Sequence, residues 1–118
     1  MNVNYNQFDA EKIEFVPIGE IESIKNGERL FVEIDDISII VFNIAGKIFA
    51  IGDICSHDGG PLDDGELENF EVNCPRHGAR FDVRDGKATR PPAVVAIPAY
   101  PVRQHAGIIE VGIPLGSK

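Results

Sequence analysis

An all-β fold is predicted by three features of the sequence: short apolar runs, alternation of apolar with polar residues, and turn residues closely spaced between the runs. Helical periodicity is nowhere sustained. Strands are predicted at Glu14–Ile18, Arg29–Ile34, Ser38–Asn43 and Lys47–Ile51, the last two joined by a tight Ile44-Ala45-Gly46 turn. Further strands are predicted at Glu71–Cys74, Arg80–Val83, Lys87–Thr89, Val94–Pro98, Pro101–Gln104 and Ile108–Val111. Asp85-Gly86 reads as a hairpin turn, because both central positions of a type I′ turn need φ above zero. The stretch Gly19–Gly27 reads as a loop or a short helical turn, and residues 1–10 and Gly116-Ser117-Lys118 as frayed ends.

The length, 118 residues, suits a single domain over 1–118. Hydrophobic residues at 43% and charged residues at 25% match ordinary globular proteins, so disorder and fibrous classes are excluded. No apolar run approaches the roughly 20 residues of a membrane-spanning helix. Met1 to Lys12 is polar and has neither a basic nor an apolar leader region, so the expected location is cytoplasmic. A net charge of -8 argues against nucleic acid and anionic membranes as partners and favours a partner with a basic face.

The two cysteines, in a reducing compartment, point to metal binding or catalysis before a disulfide. Each is paired with an imidazole: Cys55-Ser56-His57 and Cys74-Pro75-Arg76-His77, with 16 residues between His57 and Cys74. Gly59, Gly60, Pro75 and Gly78 allow the backbone to curl so that thiol and imidazole face one centre. A Cys₂His₂ set also suits a structural zinc ion in an interaction module, and an isolated cysteine is often a small buried hydrophobe. Against zinc stand the segments Gly59-Gly60-Pro61-Leu62 and Pro91-Pro92, for which such a site has no use. The third histidine, His105, falls in a turn and is expected to be exposed.

Cys55-Ser-His-Asp-Gly-Gly-Pro-Leu62, Cys74-Pro-Arg-His-Gly-Ala-Arg-Phe-Asp82, Asp85-Gly86 and Pro91-Pro92 together resemble the Rieske iron-sulfur proteins. Within them they resemble the ferredoxin components of bacterial aromatic-ring-hydroxylating dioxygenase systems. The resemblance runs from about Glu14 to Val111. It implies antiparallel sheets forming a base domain, with an inserted cluster-binding subdomain at about 52–92. It also implies one 2Fe-2S cluster, with Cys55 and Cys74 on the inner iron and His57 and His77 on the outer one. Pro91 and Pro92 would belong to a loop that shields the sulfides.

The implied function is that of a one-electron carrier, not an enzyme, passing electrons from a flavin-dependent ferredoxin reductase to a terminal Rieske oxygenase. A Rieske accessory protein of nitrite reduction or iron-sulfur assembly is the alternative within redox proteins. With two thiolates in place of four, the oxidised cluster is neutral and easier to reduce than an all-cysteine one. High-potential respiratory Rieske proteins carry a disulfide where Gly60 and Arg76 stand here, and hydroxyl donors where Ala79 and Phe81 stand, so a low potential is expected. Pro61 and Leu62 beside the first loop are the expected apolar contact for a partner. The acidic run Asp63, Asp64, Glu66, Glu68, Glu71 and the basic run Arg76, Arg80, Arg84, Lys87, Arg90 read as a solvated face or a polarised docking surface.

Overall fold

The computed structural model describes residues 4–5, 10–56, 59–62, 65–75, 78–91, 93 and 95–114. Three antiparallel sheets are stacked as layers. The central one carries β2 (Arg29–Ile34), β3 (Ile37–Ile44), β4 (Lys47–Gly52) and β9 (Ala99–Tyr100), in that order. An outer sheet has β1 (Ile13–Glu20), β11 (Ile108–Pro114) and β10 (Val102–His105). The third holds β5 (Leu67–Glu68), β6 (Glu71–Asn73), β7 (Arg80–Asp82) and β8 (Ala88–Arg90), and is inserted between β4 and β9.

The apolar run of β3 explains the layering, since a strand covered on both faces has no polar side to alternate with. Ile39 and Val41 point into a core shared with Val111 and Ile113 of the outer sheet, whereas Ile40 and Phe42 point into a second core shared with Val72 and Phe81 of the third. Two-residue hairpins fix the register on either side of β3. Asp35 and Asp36 have φ of 50° and 68°, with Ile34 paired to Ile37, and Ala45 and Gly46 have φ of 55° and 87°, with Ile44 paired to Lys47.

The central strands lie within a residue of their predicted ends, and the helical turn expected in Gly19–Gly27 is a 3₁₀ turn at Ile21–Ser23. Three expectations need correcting. Residues 95–98 are not a strand: Ile97 donates its N–H to Gly86 O, and Pro98 has no N–H to place in a ladder. The strand forms after them, at Ala99–Tyr100. Asp85-Gly86 is not a type I′ pair, because only Gly86 has positive φ. Side-chain oxygens of Asp82 and Asp85 take the N–H groups of Arg84 and Lys87, which stabilises a longer loop. The N-terminus is tied down at the residues described. Asn4 bridges to Ala99, and the Tyr5 ring stacks on Tyr100 at 5.2 Å, where burial pushes the Tyr100 phenol up to about 12.

Gly86 joins the third sheet to the returning chain. A Cβ there would lie 2.0 Å from Ile97 O, and φ is +81°. Gly86→Ala should therefore lower stability by roughly 2–4 kcal/mol. Gly46→Ala, at similar φ but with nothing within 4 Å, should lose about 1–2 kcal/mol. Urea melts of the two variants measure the difference; equal losses would show that the contact with Ile97 carries no weight.

Candidate functional site

Cys55 lies three residues beyond the end of β4, and Cys74 directly follows β6. The two loops that start from them are built alike. Cys55 donates its N–H to Gly60 O at 2.7 Å and accepts from Gly59 N–H at 2.7 Å; Cys74 donates to Ala79 O at 2.6 Å and accepts from Gly78 N–H at 3.0 Å. Each loop is thus closed by a bond from the first residue to the sixth and another from the fifth back to the first. Gly59 and Gly78 occupy the fifth position, with φ of 76° and 77°. A side chain at either would strain this left-handed backbone, which explains glycine at both positions where the residues between them differ.

Both cysteines are fully buried and neither forms a disulfide. They share the second core with Leu62, Ala79 and Phe81, all at 0% exposure, so the thiols lie at the floor of two matched loops in an apolar surround. His57 and His77 are outside the described residues, as are Asp63, Asp64, Arg76 and Pro92. The cysteine half of the predicted ligand set is therefore the half that is placed here. Paired, unbridged thiols suit a soft metal centre, and the dry floor suits one shielded from water.

Neighbouring segments hold the first loop in place. Asp53 Oδ1 accepts the Leu62 N–H at 2.8 Å, closing the chain around the loop, and the Ser56 hydroxyl donates to the Val95 carbonyl, tying it to the segment after the prolines. Pro91 is exposed and Ala93 is buried. His105 is exposed at the end of β10, as expected.

The expected role of Leu62 as a surface contact is corrected. Its side chain belongs to the core that holds the cysteines, because the Asp53 bond turns the backbone inward. Exposed apolar groups beside the loop are instead Pro61, Ile54 at 41% and Val95 at 39%. Sequence reasoning missed Ile54, a single apolar residue between Asp53 and Cys55, and Val95, which sits in an apolar run that reads as strand interior. The acidic and basic runs meet at Arg80. Arg80 bridges to Glu68 at 2.7 Å and to Glu71 at 3.5 Å across the third sheet, and Arg84 grips Asp82 at 2.7 Å while lying over the Phe70 ring. Among the described residues the two runs thus meet through Arg80 alone, and Arg84 turns to Asp82, outside both runs.

Residues 14–101 match the Rieske [2Fe-2S] domain. The chain belongs to that family. This Rieske protein is 34% identical over 99 residues to the ferredoxin component of the naphthalene 1,2-dioxygenase/salicylate 5-hydroxylase systems of a Ralstonia species, covering 83% of this chain and 86% of the relative. It is 35% identical over 95 residues to the 3-phenylpropionate/cinnamic acid dioxygenase ferredoxin subunit of Escherichia coli K12, covering 80% and 89%. Among solved structures, the ferredoxin of carbazole 1,9a-dioxygenase from Nocardioides aromaticivorans IC177 superposes with a TM-score of 0.78 at 31% identity, over 82% of this chain and 95% of that one. Like these relatives, the protein is an electron carrier and not itself a catalyst, and its cofactor is a Rieske 2Fe-2S cluster. That sets aside the zinc module. No helix among the described residues is long and apolar enough to cross a membrane.

Leu62→Ala should cost about 2–5 kcal/mol, since it empties a fully buried site in the core that holds both cysteines. Leu62→Asp should prevent stable folding and cluster retention, because it buries an unpaired charge. Urea melts and iron content measure both. A folded, fully loaded Leu62→Asp protein would contradict the placement of this side chain.

Proposed function

We propose that this Rieske protein works in the cytoplasm as the ferredoxin of an oxygenase system, taking electrons from a flavin-dependent reductase and delivering them to a terminal Rieske oxygenase. Residues 1–118 make a single domain, with the cluster-binding part at about 52–92. Cys55 and Cys74 hold the inner iron, and His57 and His77 the outer one. The observation that carries this reading is the pair of matched loops, each presenting a buried cysteine at its first position. The named relatives favour an oxygenase system over nitrite reduction or iron-sulfur assembly.

When bound, the cluster supplies one reversible electron at a potential above that of all-cysteine plant-type clusters. The protein's part is to hold and tune. The two closed loops hold the backbone of each cysteine in place, and binding at such a site is coupled to folding. Leu62, Ala79 and Phe81 keep water from the floor of the site. Ala79 and Phe81 also have no hydroxyl, so they withhold hydrogen bonds that would favour the more negative, reduced state.

Protein purified without chelators should be red-brown and give a paramagnetic signal when reduced, with two irons per chain; a colourless preparation would defeat the ligand assignment. Cys55→Ser and Cys74→Ser should lose iron and destabilise the fold. The potential should lie near the low end of the Rieske range, about -150 mV. Ala79→Ser and Phe81→Tyr should each raise it, by tens of millivolts up to about 100 mV, as read by voltammetry. A wild-type value well above zero would overturn the tuning account. Reconstitution with a reductase and a terminal oxygenase from the same genome, scored by product formed per nicotinamide cofactor oxidised, tests the place in the chain of carriers.

A further inference from the structure

A groove of about 370 Å³ opens beside the first cysteine loop. One wall comes from the β2–β3 hairpin and carries Asp36 and Ile37; the other comes from the end of β4 and carries Asp53 and Ile54. The walls are tied together, since Asp53 donates its N–H to Ser38 O at 2.9 Å. Between them the floor is low because Gly52 has no side chain. A Cβ there would come within 3.3 Å of Pro98 Cδ and 3.5 Å of Ile54 Cγ2. Asp36 is exposed, and Ile54, at 41% exposure, is the residue immediately before Cys55. An apolar trough with two carboxylates thus ends next to a cysteine loop.

We infer that this groove receives a lysine or arginine side chain of the protein's electron-transfer partner, with its aliphatic stem on Ile37, Ile54 and Pro98 and its cationic head between Asp36 and Asp53. This rests on the carrier reading above and adds where and how the partner is gripped. Charge selects the occupant. Among the described residues, both charged groups lining the groove are carboxylates and no Lys or Arg lines it, so an anionic group is repelled. A second copy of this chain would bring net charge -8 against -8. A wholly apolar group would strip water from Asp36 and offer it no partner. A long basic side chain matches both parts, since its methylenes cover apolar surface while its head stays with charge and solvent. Gripping the partner one residue from Cys55 brings the two redox centres together. A single electron then passes: the reduced cluster is oxidised, the partner's centre is reduced, and no proton moves.

Ferricytochrome c, a haem protein with lysines around its exposed haem edge, serves as the test partner, with the reduced holoprotein as donor in stopped flow at low ionic strength. Asp36→Asn/Asp53→Asn removes both charges while keeping an oxygen for the Leu62 N–H and a residue tolerant of positive φ at 36. It should lower the second-order rate at least fivefold. Gly52→Ala keeps all charge but raises the floor, and should lower the rate about threefold. Glu14→Gln/Glu22→Gln removes the same charge from exposed positions elsewhere and should change the rate less than twofold. Iron content and the reduced-state spectrum report that each variant is loaded. Equal slowing by the Glu14/Glu22 pair would reduce the effect to net charge and overturn the inference, as would an unaffected Gly52→Ala. With the terminal oxygenase as acceptor, a wild-type protein that delivers nothing defeats the proposed place in the oxygenase system. Delivery that the Asp36/Asp53 pair leaves unchanged defeats the groove alone.

Discussion

The two-sided burial of β3 is the constraint on which the rest of the structure depends. Successive side chains of one strand fill two separate cores, Ile39 and Val41 on one face and Ile40 and Phe42 on the other. A slip of one residue would exchange the contents of both cores at once, so the register is penalised twice over. The Asp35-Asp36 and Ala45-Gly46 hairpins make that register the locally preferred one as well. Because Phe42 and Ile40 share their core with Cys55 and Cys74, the cysteine loops are packed against the best-determined part of the chain.

Much of this was legible beforehand, and the exceptions have physical causes. Strands of six to eight residues that are rich in apolar side chains and bounded by turn residues, such as β2, β3 and β4, could be read almost to the residue. β5 was missed because Leu67–Glu68 is too short to show a period. Val94–Pro98 has strand-like composition, yet Ile97 spends its amide on Gly86 and Gly52 reaches over to Pro98 O, contacts that no local pattern announces.

The site divides the same way. Cysteine and histidine spacing, with the glycines around them, pointed to the loops, and the equivalent fifth positions of Gly59 and Gly78 could have been noticed from the sequence alone. The depth of Leu62 could not, because it depends on a carboxylate nine residues earlier capturing its amide. Nor could the pairing of Arg80 with Glu68 and Glu71, since it follows from which strands lie side by side, and one of those strands was the two-residue β5. Long-range partnerships formed by backbone groups and short edge strands are what a reading of local pattern leaves out.

The point at which the third sheet leaves and rejoins the scaffold has a consequence for how such a chain tolerates change. Ile51 pairs with Ala99, and Gly52 donates to Pro98 O at 2.9 Å, so the excursion from Asp53 to Ile97 begins and ends on neighbouring strands. Paired strands lie about 4.8 Å apart, and that spacing is set by the ladder, whatever the length of chain between. Closing a longer loop over the same gap costs only about 0.6 kcal/mol per doubling of its length. Chain closure therefore sets little limit on the length of this stretch. This stretch can change length while the layers beneath it stay in register.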